Sequence, residues 1–309
     1  MKKAILAVLM LTLIIGTAGL VQAQENENLH IGWVEFSLEV RYFQEVAKGA
    51  RNAADDLGVD ITVLDPRADS QEQVRQAEDL ISKGVDALVL DPIESNSLVG
   101  VVDQAADKGI PVVTIDTDVD HPGVVSTIAT SNFERSKEFG RYVAGYIHSK
   151  YDGEAKVGLM IASTEVQLQR VDGFKEALDA VPGAEIVDTG DGRNIYERSL
   201  SEAEDMLAAN PDIDVIYATS DPALMGTIAA AEQRGVAQDI DFFGWDQVPD
   251  HYIPPLESGK LTAFINQQPR GKGVKGMELA VKAAKGEEVP RNIKTGIKIV
   301  TKFNVDQYK

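Results

Sequence analysis

Short β-branched runs alternate with helix-length amphipathic stretches along almost the whole chain, and that alternation admits few folds. Residues 30–36 form an apolar run. Residues 42–57 then carry apolar and alanine positions at helical spacing and stop at Gly58. Residues 60–64 are a second strand, ended by Asp65-Pro66, and 71–83 a helix with Gly84 behind it. Residues 87–90 are a third strand, ended by Asp91-Pro92; 97–108 are a helix closed by Gly109, and 111–115 a fourth strand. Strands this short and apolar, each followed by a helix, read as a parallel sheet covered on both faces.

A second series follows the strand at 125–129. Strands are expected at 156–161, 184–187, 214–217 and 240–243, with helices at 134–151, 169–181, 200–210 and 222–234. Strands at 261–265 and 297–300 flank a last helix at 274–285. No long linker separates the series. With 309 residues the chain is long for one core and comfortable for two lobes. Several short crossings between two similar α/β units fit this better than beads on a string.

The N-terminus reads as a secretory leader. Lys2 and Lys3 precede a nearly unbroken apolar run from 4 to 20, and Val21-Gln22-Ala23 offers small residues for cleavage. The mature chain is expected to begin near Gln24. Beyond residue 23 no apolar segment is long enough to span a membrane. The chain has no cysteine, so it has neither a disulfide framework nor a thiol to lipidate at the processing site. An exported binding protein without a lipid tether needs an outer barrier, which favours a periplasm. The formal charge is −19, from 30 basic and 49 acidic residues, and losing Lys2 and Lys3 makes it more acidic. Such a polyanion is a poor partner for nucleic acid or an anionic membrane.

Parallel sheets bind ligands outside the carboxyl ends of their strands. Here those ends carry Phe36, Asp116, Ser220 and Trp245-Asp246. For a single aspartate, a turn or cap role explains as much. The joint pattern brings hydrogen-bonding and stacking groups toward one crevice.

The stretches Tyr42-Phe43 with EVAKGARNAADDLG, then QAEDLISKGVDALVLDP, GIPVVTIDT, QRVDGFKEAL, PDIDVIYATSD, GWD and KLTAFINQ, taken in order, resemble the ribose/galactose-type periplasmic sugar-binding proteins of ABC importers. The likeness covers about residues 30–300. It implies two Rossmann-like lobes joined by a three-crossing hinge: lobe one at 30–130 and 268–295, lobe two at 131–267 and 296–309. It also implies a monomer that captures a monosaccharide or polyol and delivers it to a membrane ABC permease, without cofactor. Sugar contacts then fall on Tyr42, Phe43, Asp116, Arg170, Trp245, Asp246 and Gln267. Ser220 stands where many members carry Asn, and Asn194 where ribose binders have an aromatic wall. Carboxylates accept adjacent hydroxyls, Arg donates as a planar fork, and rings cover the C–H faces of a sugar.

The departures argue against ribose itself. Val40-Arg41 replaces an Asn-Pro pair, and Asp116-Thr117 replaces Asp-Arg. Glu39, Arg41 and Arg193 are nearby groups able to fill vacated roles. A neutral ligand is expected. A sensory protein that presents the closed form to a chemoreceptor or sensor kinase is the main alternative. No catalytic residue is expected. Neither a Gly-x-Gly-x-x-Gly after the first strand nor a phosphate loop is present, and His30, His121, His148 and His251 lack metal spacing. A leader stands where a sugar-responsive repressor would carry its DNA-binding helices.

Overall fold

The alternation resolves into two six-stranded sheets in a computed structural model, which describes residues 28–245 and 250–308. The leader expected at 1–23 lies outside them, as does Asp246. In the first sheet, β1 (His30–Val34), β2 (Asp60–Leu64), β3 (Ala87–Leu90), β4 (Val112–Ile115), β5 (Val124–Thr130) and β11 (Asn292–Thr295) take the order β11-β5-β4-β3-β1-β2. In the second, β6 (Glu154–Ile161), β7 (Gly183–Asp191), β8 (Val215–Ala218), β9 (Asp241–Gly244), β10 (Leu261–Asn266) and β12 (Lys298–Thr301) take the order β12-β10-β9-β8-β6-β7. The two orders are the same pattern. All pairings are parallel except β10 with β12.

The helices are α1 (Arg41–Leu57), α2 (Ser70–Lys83), α3 (Val99–Asp107), α4 (Asn132–Lys150), α5 (Glu165–Leu178), α6 (Tyr196–Ala209), α7 (Asp221–Arg234), α8 (Ile253–Ser258) and α9 (Pro269–Ala284). The chain passes from one sheet to the other three times: after β5, after β10, and between β11 and β12. Every residue of β3, β4, β8 and β9 is buried, as helices on both faces require. Groups able to meet a ligand are therefore confined to the strand ends and the loops beyond them.

Among the boundaries that depart from the periodicity, two have a clear local reason. Helix α5 starts four residues before 169, because the Thr164 hydroxyl accepts the Gln167 N–H at 3.4 Å and caps it. Helix α9 starts at Pro269 instead of 274, with proline in the first turn, where its missing N–H costs nothing. Strand β11 carries no apolar run at all. It is a half-exposed edge strand, invisible to a pattern that looks for buried ones.

One helix pair in each lobe is drawn unusually close by glycine. A Cβ on Gly273 of α9 would sit 1.9 Å from the Val46 carbonyl oxygen of α1, and one on Gly49 of α1 would sit 2.1 Å from that of Arg270. In the second lobe a Cβ on Gly173 of α5 would sit 2.2 Å from the Phe133 carbonyl oxygen of α4. These two seams bring the cationic side chains described next within reach of the cleft.

Candidate ligand-binding site

A cavity of about 590 Å³ opens between the strand ends of the two lobes. Its volume suits a small molecule. The first lobe contributes Phe36, Tyr42, Phe43, Asp91 and Asp116, with Pro92–Asn96 and Thr117 around them. The second contributes Thr164, Glu165, Val166, Gln167, Arg170 and Asn194. Six of the expected contacts thus meet at one cavity: Phe36, Tyr42, Phe43, Asp116, Arg170 and Asn194. Ser220, Trp245 and Gln267 stand behind this wall, each essentially fully buried.

The aromatic part lies in the first lobe. The rings of Phe36 and Phe43 stack with centroids 4.9 Å apart and planes 8° apart, and Tyr42 meets Phe43 edge-on at 5.1 Å. Phe36 leaves the end of β1 and Phe43 sits in the first turn of α1, so the turn between strand and helix builds the pair.

Asp116 follows β4 with φ 57°, an unusual backbone for a residue other than glycine. Tyr42 Oη donates to Asp116 Oδ2 at 2.8 Å, and Lys272 Nζ, from α9, donates to Asp116 Oδ1 and to Tyr42 Oη, the latter at 2.7 Å. The Lys272 side chain is wholly buried. The positive group missing at Thr117 is replaced by one arriving from another element.

Two further carboxyl groups belong to this wall. Glu35 ends β1, within what reads in sequence as an unbroken apolar run. Trp33 Nε1 donates to its Oε1 at 2.9 Å. Asp91 ends β3, and Gln73 of α2 donates to the main-chain carbonyls of both Glu35 and Asp91, at 3.0 and 2.7 Å. Burial pushes Glu35 up to about 8 despite the Trp33 bond, and Asp116 nearby pushes in the same direction. Burial first, then the negative charges of Asp116 and Glu35, raise Asp91 well above the usual carboxylate range. Among the described residues Glu35 Oε2 and Asp91 Oδ2 have no hydrogen-bond partner, and no group of His, Cys, Asp or Glu is disposed to hold a metal ion.

In the second lobe Arg170 dominates. Its Nε donates to Asn132 Oδ1 at 3.0 Å and its Nη1 to the Thr219 carbonyl at 2.7 Å. The guanidinium carbon lies 4.3 Å from the centre of the Trp245 ring. Trp245 therefore supports Arg170 from below instead of forming the cavity surface. Gln167 accepts from the Ala162 N–H at 3.0 Å and donates to Asn194 Oδ1 at 3.3 Å, which ties the end of β6 to the loop before α6. The three residues noted as possible replacements, Glu39, Arg41 and Arg193, are all exposed. Arg41 reaches across the mouth of the cleft, its Nη1 3.1 Å from His251 Nδ1.

Residues 31–288 match the family model described as a periplasmic binding protein domain. The chain is 31% identical over 275 residues to the ribose import binding protein RbsB of Salmonella typhimurium, covering 88% of this chain and 90% of that one. The fold is similar to that of GanP, a glucose-galactose binding protein from Geobacillus stearothermophilus. That match has a TM-score of 0.79 and 28% identity over 90% of this chain and 99% of the other. It is also similar to a carbohydrate transporter solute binding protein from Agrobacterium radiobacter in complex with D-arabinose, at a TM-score of 0.83 and 26% identity. There the coverage is 92% of this chain and 97% of the other.

Proposed function

The chain belongs to the ribose/galactose-type periplasmic sugar-binding proteins, a transport family and not a catalytic one; on that premise we propose that it captures a neutral monosaccharide or polyol between its lobes and delivers it to an ABC permease. The proposal includes export to the periplasm behind a leader cleaved near residue 23. The observation that carries it is the two-sided cavity. Stacked Phe36 and Phe43, suited to the C–H face of a ring, share it with Asp116 and Arg170, suited to its hydroxyls. A missing or inverted hydroxyl would strand one of these polar groups at roughly 1–3 kcal/mol each, which makes such a site selective. Because the walls belong to different lobes, a ligand gains all its contacts only when the lobes are together. The same closed form is what a chemoreceptor or sensor kinase would read, so a sensory role uses the identical site.

A thermal-shift screen of the mature chain against pentoses, hexoses and polyols, followed by small-angle scattering with the best hit, tests the reading. At least one neutral sugar or polyol is expected to raise the midpoint and to reduce the radius of gyration. No stabilisation by any of them, or an unchanged radius at saturation, would overturn it.

A further inference from the structure

Three neighbouring parallel strands of the first lobe each end in a carboxyl group: Glu35 after β1, Asp91 after β3 and Asp116 after β4. Their register, Val34 beside Leu90 and Leu90 beside Thr114, sets Glu35 beside Asp91, with Asp116 one residue further along the neighbouring chain. Lys272 brings a cation into this row, with its side chain wholly buried. An unpaired buried charge is costly, so such a group needs a fixed opposite charge. Lys272 has it in Asp116, with Tyr42 bonded to both.

We propose that Lys272 is a positioning residue that sets the charge class of the ligand: paired with Asp116 and Tyr42, it compensates the charge of the Asp116 carboxylate, so that Asp116 accepts hydroxyls of an uncharged sugar or polyol and does not serve as counter-ion to an ammonium group. The inference rests on the sugar-binding reading and extends it to ligand charge.

The donor geometry supports it. Tyr42 gives its only proton to Asp116 Oδ2 and accepts one from Lys272. Both carboxylate oxygens of Asp116 are thereby held in place, yet each keeps a lone pair for a ligand donor. Burial also favours the uncharged form of the other two carboxyls, raising Glu35 to about 8 and Asp91 well above the usual carboxylate range. A ligand ammonium at Asp116 would sit beside a second, immovable ammonium. A ligand carboxylate there would face Asp116 itself, with Glu94 and Glu165 also on the cavity wall.

The test is competition calorimetry on wild type, Lys272→Gln and Asp116→Asn. The probes are D-ribose, D-glucose, D-galactose and myo-inositol as neutral ligands, D-glucosamine and D-galactosamine as cations, and D-glucuronate and D-galacturonate as anions. Wild type is expected to bind a neutral member most tightly. In Lys272→Gln the amino-sugar to neutral affinity ratio is expected to rise about tenfold, since an uncompensated Asp116 then welcomes an ammonium. In Asp116→Asn the uronate to neutral ratio is expected to rise instead, since Lys272 is then uncompensated. Opposite shifts cannot come from loss of structure, which weakens all ligands together. Should Lys272→Gln fail to fold, Asp116→Asn decides. Tightest wild-type binding of an amino sugar or uronate, or unchanged ratios in the folded variants, would overturn the inference while leaving sugar binding intact. Failure to bind any neutral sugar or polyol, here and in the thermal screen, would overturn the sugar reading and the inference with it.

Discussion

The two walls of the cleft are built on the same strand order and carry opposite chemistry. In the first lobe, β1, β3 and β4 end in Glu35, Asp91 and Asp116. At the matching places in the second lobe, β6, β8 and β9 are followed by Ala162, Thr219 and Trp245. Each lobe then brings one buried cation to its wall from a glycine-seamed helix pair, Lys272 from α9 and Arg170 from α5. Lys272 lies under a carboxylate that lines the cavity. Arg170 lies over an indole and lines the cavity itself. The topology thus decides where polar groups can stand, and the strand-end residues decide whether a wall offers acceptors or donors. A ligand rich in hydroxyls, which both donate and accept, satisfies both walls at once.

The contrast predicts, as its largest effect, a pH dependence that belongs to the first lobe. Glu35 is raised to about 8 in the folded chain, and Asp91 is raised as well, so the native state binds more protons than the unfolded one between their ordinary values and their folded ones. Their contribution is greatest below about pH 4.5, the ordinary value for Glu35, and is lost as pH rises through about 8. For Glu35 alone the loss is expected to be roughly 2–4 kcal/mol, allowing for relaxation around the ionised group. Urea denaturation from pH 5 to 9 is expected to show falling stability in wild type and a much flatter profile in Glu35→Gln. Matching profiles would mean that the acidic row does not hold its protons.

The second lobe is tested through Arg170. Arg170→Met removes charge-assisted donors and the contact with Trp245, and is expected to weaken sugar binding by roughly 2–3 kcal/mol. Arg170→Lys keeps the charge without the planar fork and is expected to recover only part of this. Calorimetry with the best neutral ligand checks both. Undiminished affinity in Arg170→Met would remove the donor side of the comparison.

The smallest effect concerns the bridge between the walls. Burial and the Arg41 charge lower His251, so at neutral pH its ring is uncharged and can accept from Arg41. Protonation would set two cations against each other. His251→Ala is expected to cost about 0.5 kcal/mol of ligand affinity at pH 7, in line with other exposed polar pairs. It should also remove any further weakening that wild type shows at pH 5. Identical pH profiles in the two proteins would show that this contact does not assist closure.

Much of the site was legible in the linear pattern. Phe36 and Asp116 stand at recognisable strand ends, and Tyr42, Phe43, Arg170 and Asn194 came through resemblance; all six line the cavity. What escaped has a common cause. Asp91 stands before a proline and reads as a turn. Glu35 hides inside an apolar run. Lys272 lies in a helix whose first turn the periodicity missed, and it meets Asp116 across 156 residues of chain. Periodicity reports which residues are buried together with their near neighbours, and it is blind to which charges meet at the end of a sheet. Ser220, Trp245 and Gln267, expected as contacts from strand ends or resemblance, are buried and are not among the residues that line the cavity.

By itself the sequence determined the α/β alternation, the doubling of the unit and the family, because hydrophobic period, turn residues and their order are local properties that survive without contacts. The tertiary structure alone decided the electrical character of the cleft. Whether a carboxyl is charged depends on its burial and on the partner it meets, and both exist only once β1, β3, β4 and α9 converge.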